Sequence, residues 1–212
     1  NNQRHEEDND NDIITIEEDH AIQTDLFDAV STLSSGSTSV LSMEKGDRHL
    51  NEQMPWGIEA IQADLVEPGP HNVTICVVDS GVAVNHPDLP SPQISGVDRT
   101  DNNRYWKWNL DRAGHGTHVA GTIAATSNNQ RGVRGVVTSS IKLFSVRALG
   151  DDKSGFESDI WKAVQQCIDA NVDVINLSLG SSLQSSFAND LYRRAVDVHG
   201  IVLVAAAGNS GD

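Results

Sequence analysis

From residue 73 onward the chain alternates between two hydrophobic periods, and few folds accept that alternation. Residues 73–79, 141–146, 172–177 and 201–207 are short, apolar and rich in β-branched side chains. Such runs predict strands buried on both faces. Residues 116–125, 157–170 and 186–198 carry apolar side chains at helical spacing. Strand and helix in regular turn mean a parallel sheet, with right-handed crossovers laying helices over both of its faces. The fold class is α/β. With 212 residues and 38% hydrophobic content, one such core fits and a second full domain does not. No internal repeat is visible.

In open parallel sheets, reactive groups collect at the carboxyl ends of the strands. The run Val73 to Val78 stops abruptly at Asp79-Ser80-Gly81, where an acid can orient a histidine presented by a neighbouring helix. His115 is the candidate partner. It stands between Gly114 and Gly116, which let the backbone turn without a Cβ penalty and leave one imidazole uncovered where a helix begins. Val119, Ala120, Ile123 and Ala124 give that helix its apolar face, and Gly121 permits close packing. The strand 201–207 ends in the polar turn Gly208-Asn209-Ser210-Gly211. Taken singly, these features have plainer meanings. A lone histidine suits a surface or a satisfied core, and the turn suits an ordinary strand-to-helix connection or an anion nest of a nucleotide-binding protein.

Three motifs in order change that reading. Gly114-His115-Gly116-Thr117-His118-Val119-Ala120-Gly121-Thr122 closely resembles the histidine motif of the subtilisin-like serine proteases. Asp79-Ser80-Gly81, continued by Val82 to Leu89, resembles that family's aspartate motif, and residues 201–211 resemble its oxyanion-asparagine motif. Aspartate before histidine is the subtilisin order. The resemblance covers about residues 53 to 211 and implies a serine-type endopeptidase with Asp79 as acid, His115 as base and Asn209 as oxyanion donor. It implies no cofactor for the chemistry. It also implies that an extended polypeptide is bound as an added strand between Lys153-Ser154-Gly155-Phe156 and Asn176-Leu177-Ser178-Leu179-Gly180. Ser154, Gly155, Ser178, Leu179 and Gly180 are therefore the candidate substrate-binding residues, with Ser178 a structural hydroxyl and not the nucleophile. The family's nucleophile lies in a Gly-Thr-Ser-x-Ala motif, and no Gly-Thr-Ser occurs in these 212 residues. The expectation is an incomplete subtilisin-like chain, truncated at its C-terminus and inactive alone. The alternative is a peptide-binding or inhibitory remnant.

Charge and cysteine usage bound the rest. Residues 1 to 28 hold ten acids against one arginine, which leaves 20 acids against 14 Lys and Arg in the body. Clustered cations for a phosphate backbone are absent, so nucleic acid is excluded as a partner. No apolar run approaches the roughly 18 residues of a membrane span. Residues 1–24 read as an acidic tail, whose Ile13-Ile14-Thr15-Ile16-Glu17-Glu18-Asp19-His20-Ala21 resembles the last strand of an inhibitory pro-domain or is a chance apolar patch. Residues 25–52 read as a Ser/Thr/Gly-rich linker, and residues 53–212 as the N-terminal part of the peptidase domain, opening at Met54-Pro55-Trp56-Gly57. The chain starts at asparagine without a secretory apolar segment, so its beginning is expected to be missing or processed; a secreted or vesicular location is implied by the resemblance.

Cys76 and Cys167 read as buried free thiols in preference to a bridge. His118, one turn after His115, reads as a packing or supporting residue, because a His-x-x-His pair without a third ligand does not make a zinc site. The polar stretch between Asp79 and His115, with Asp98, Asp101 and Asp111, reads as a solvated loop. Structural calcium, which the family often carries, is the other meaning of its carboxylates.

Overall fold

The computed structural model describes residues 21–23, 52–66, 69, 72–101, 104–137, 141–180 and 185–208. The elements are β1 (Ala21–Gln23), α1 (Trp56–Ala60), β2 (Val73–Asp79), β3 (Ile94–Val97), β4 (Arg99–Asp101), β5 (Arg104–Trp106), α2 (His115–Ala124), β6 (Ile141–Arg147), β7 (Ser154–Phe156), α3 (Glu157–Asp169), β8 (Val174–Leu177), α4 (Ser186–Asp197) and β9 (Val202–Ala205). Five of the strands make one parallel sheet in the order β3-β6-β2-β8-β9. This is the α/β architecture expected from the alternation.

β2 lies at the centre, and its period of two serves both faces. Ile75 and Val77 join Val82, Leu143, Ala120 and Ala124 under α2. Cys76 and Val78 point the other way, into a core with Ile160, Val164 and Ile168 of α3 and Leu191 and Ala195 of α4. Burial on both faces is why residues 75–78 of the run carry only apolar side chains before Asp79.

Two expectations are corrected here. The cysteines are not free thiols: Cys76 on β2 and Cys167 on α3 form a disulfide, with their Cα atoms 6.0 Å apart. They are 91 residues apart in sequence, and only the packing of α3 on β2 brings them together. The stretch from Asp79 to His115 is not all loop. Ile94–Val97 forms the edge strand β3, and β4 pairs with β5 as an antiparallel hairpin. Four residues are too few to show a period. Gly96 reveals its place only in three dimensions, where a Cβ would meet the Ser145 carbonyl oxygen at 2.3 Å and the Trp108 ring at 2.5 Å.

Among the described residues, no helix is long and apolar enough to cross a membrane. The acidic run, the linker and most of the segment resembling a pro-domain lie outside the described residues. That segment's last residue, Ala21, opens β1, which pairs antiparallel with β7.

Candidate active site

Asp79 closes β2 at its carboxyl end and is fully buried. Its backbone carbonyl accepts from the amides of Ala148 and Leu149, and its Oδ1 accepts from the Ser80 amide at 2.7 Å. Both carboxylate oxygens face His115, whose Nδ1 lies 2.8 Å from Oδ1 and 2.9 Å from Oδ2. A carboxylate only accepts, so Nδ1 is the nitrogen that carries the donated proton, and Nε2 keeps its lone pair. Among the described residues Nε2 has no hydrogen-bond partner. The His115 side chain is 14% exposed, enough for a ligand to reach one edge of the ring.

The close approach depends on glycine. A Cβ on Gly116 would sit 2.2 Å from the Gly81 carbonyl oxygen and 3.1 Å from the Asp79 side chain, so no other residue lets α2 start against β2. Gly114, at φ +78°, supplies the turn into the helix. Sequence reasoning left Asp111 as a loop carboxylate, yet it is what anchors the start of α2. Its Oδ1 accepts from the Gly114 amide and the Ser80 hydroxyl at 2.8 and 2.9 Å, and its Oδ2 accepts from the Thr117 amide at 2.8 Å and from the Thr117 hydroxyl. The Ser80 hydroxyl in turn accepts from the Gly116 amide at 3.0 Å. An acid at a helix N-terminus satisfies orphan amides and opposes the dipole, and here it also braces the turn that carries His115. The only local signal was an acid four residues before the histidine.

The His115 pKa is raised above its ordinary value. Donation to Asp79 is the main cause, burial opposes it, the Asp79 and Asp111 charges add to it, and the nearby Lys153 ammonium subtracts. His118, one turn on, is exposed.

Of the other candidates, Ser154 and Gly155 lie on β7, where Gly155 packs so close that a Cβ would be 2.7 Å from the Ala148 carbonyl oxygen. Ser178, Leu179 and Gly180 leave the carboxyl end of β8, with the Ser178 hydroxyl accepting from Asn176 Nδ2 at 2.9 Å. Asn209 lies outside the described residues, four positions beyond the end of β9. Among the described residues no three His, Cys, Asp or Glu side chains gather as a metal cage. Asp98 instead accepts from the Tyr105 hydroxyl and the Trp108 amide. Asp88, 4% exposed, accepts from Asn129 Nδ2 at 2.7 Å and the Val133 amide at 2.8 Å, and Glu52 accepts from the Asn129 amide at 3.1 Å.

An aspartate and a histidine held this way, at the carboxyl end of a parallel sheet, can be compared with known proteins. The sequence model of the Subtilase family matches residues 70–212. The chain belongs to the subtilase family. A subtilisin of Bacillus pumilus is 40% identical over 163 residues, covering 76% of this chain and 57% of that protein. A subtilisin of Bacillus sp. strain TA39 is 38% identical over 170 residues, covering 76% of this chain and 40% of that protein. Among solved structures, the psychrophilic subtilisin-like protease Apa1 from the Antarctic psychrotroph Pseudoalteromonas sp. AS-11 superposes with a TM-score of 0.67 at 32% identity, covering 76% of this chain and 37% of that one. This subtilase chain thus spans between two fifths and three fifths of the curated subtilisins it was compared with.

Proposed function

We propose that this subtilase chain carries the acid and the base of a serine-type endopeptidase of the subtilisin type. The observation that supports it most is the pair of Asp79 oxygens within 2.9 Å of His115 Nδ1. In this reading Nε2 takes the proton of a serine hydroxyl as its oxygen attacks the peptide carbonyl, then delivers that proton to the leaving amine. Asp79 fixes the tautomer and stabilises the imidazolium, and the Asn209 side chain donates to the oxyanion. The serine belongs in a Gly-Thr-Ser-x-Ala motif that these 212 residues do not contain, so on their own they position a peptide without cleaving it. The chemistry needs no cofactor.

Substrate is an extended polypeptide lying along β7, with Ser178 to Gly180 on its other side. The pairing of β1 with β7 supports this, because it puts a segment of the chain itself on that edge as an added strand. The same pairing favours residues 1–24 as the end of a pro-domain that occupies the cleft, with 25–52 as linker and 53–212 as peptidase domain. It equally supports the second reading, a peptide-binding or inhibitory remnant. Secretion or vesicular delivery fits the buried disulfide, which persists in oxidising compartments. Structural calcium, which the family often carries, belongs to the same reading. A chelator is then expected to lower the Tm of the wild-type chain; an unchanged Tm removes the calcium.

The experiment that separates the two readings is to read the transcript past the Asp212 codon. A Gly-Thr-Ser-x-Ala is the expected result. A stop codon directly after Asp212 would sink the peptidase reading for this product and leave the peptide-binding one.

A further inference from the structure

The turn before β7 places a cation where the proposed peptide edge meets His115. Lys153 has φ +64°, in the left-handed region that favours glycine, yet the residue there is a long charged one. The turn is pinned around it. The Lys153 amide donates to the Gly150 carbonyl at 3.1 Å, the Gly150 amide donates to the Ser154 carbonyl at 2.7 Å, and the Ser154 amide donates to Asp152 Oδ1 at 3.1 Å. Lys153 is half-buried, and among the described residues its ammonium makes no ion pair.

The carboxylates around it are engaged elsewhere. Asp151 is held by Arg147 at 2.6 Å and Arg112 at 3.5 Å. Asp152 caps Ser154, Asp79 is bound to His115, and Asp111 is bound to Ser80, Gly114 and Thr117. Yet the Lys153 charge is felt at the His115 ring. Gln23 stands across from Ser154, the first residue of β7, so the next residue of a peptide bound in the register of β1 runs toward the turn that carries Lys153.

We propose that Lys153 selects an acidic side chain at the peptide position opposite it, making it a specificity-determining residue of the cleft. An Asp or Glu there supplies the carboxylate that the half-buried ammonium lacks. The inference rests on reading β7 as the peptide-binding edge. Its weight is that of one partly exposed ion pair, about fivefold in affinity, and it fades as salt rises.

The test is a fluorescence-anisotropy titration of the 212-residue chain with labelled peptides Ala-Ile-Gln-Xaa, where Xaa is Asp, Asn or Lys. The chain's own β1 lowers every apparent affinity by one common factor, so the ratios are preserved. The Asp peptide is expected to bind about fivefold more tightly than the Asn peptide. That ratio falls to one in Lys153→Gly, which suits the positive φ and keeps the turn, survives in Lys153→Arg, and gives way to a preference for the Lys peptide in Lys153→Glu. A wild-type ratio of one, or an unchanged ratio in Lys153→Gly, overturns the proposal while leaving β7 as the peptide edge. Failure of every peptide to bind overturns the β7 reading and the proposal together.

Discussion

One carboxylate reaching one ring nitrogen with both oxygens sets the residue scale. Because Asp79 accepts from His115, the folded imidazole keeps its proton to higher pH than a free one. A raised folded pKa has one sign in stability. The pair's contribution is fully present below the ordinary histidine value of about 6.5 and is lost as pH climbs through the folded value. Thermal unfolding of wild type and Asp79→Asn, compared at pH steps, should therefore differ most below about 6.5 and draw together as pH climbs past the raised folded value. A gap that widens with rising pH contradicts the assignment. Asp79 and His115 were legible in sequence because each sits in a local motif. Asp111 was not, since its partner Ser80 is 31 residues away and meets it only after β2 and α2 dock.

At the scale of elements, periodicity located every strand and helix with room to express a period, β2, β6, α2, α3 and α4 among them. It failed for β3 and the β4–β5 hairpin, which are too short to show one, and for β7, whose role as an edge is a matter of what pairs with it. The disulfide was missed for the same reason. Sequence spacing does not reveal that the face of β2 opposite α2 lies on α3. That cross-link joins the strand ending in Asp79 to the helix that follows β7, so it ties the acid to the peptide edge. Both sulfurs are fully buried. The double variant Cys76→Ala/Cys167→Ala is expected to lose about 2–4 kcal/mol in urea unfolding under non-reducing conditions. Thiol-labelling reagents should leave the wild-type chain unmodified even when it is unfolded, until a reductant opens the bridge. Equal stability of the two chains, or labelling of the unfolded and unreduced wild-type chain, contradicts a formed bridge.

Over the whole molecule, the sheet places its chemistry at one end. The carboxyl termini of β2 and β8 present Asp79 and the Ser178–Gly180 segment, and α2 brings His115 across to the first of these. β9 closes the order as an edge on which Val202 and Val204 are 58% and 48% exposed. The alternation gave the class of this sheet, but strand order and the partner of each edge depend on tertiary packing that no local pattern encodes. The central claim is that Asp79 and His115 are the acid and base of a subtilisin-type endopeptidase. The decisive measurement is kcat on an extended peptide for the translated gene product beside its His115→Ala variant. His115→Ala is expected to lose on the order of 10⁶ in kcat, the magnitude measured for the histidine of subtilisin itself. Hydrolysis that survives His115→Ala undiminished would contradict it.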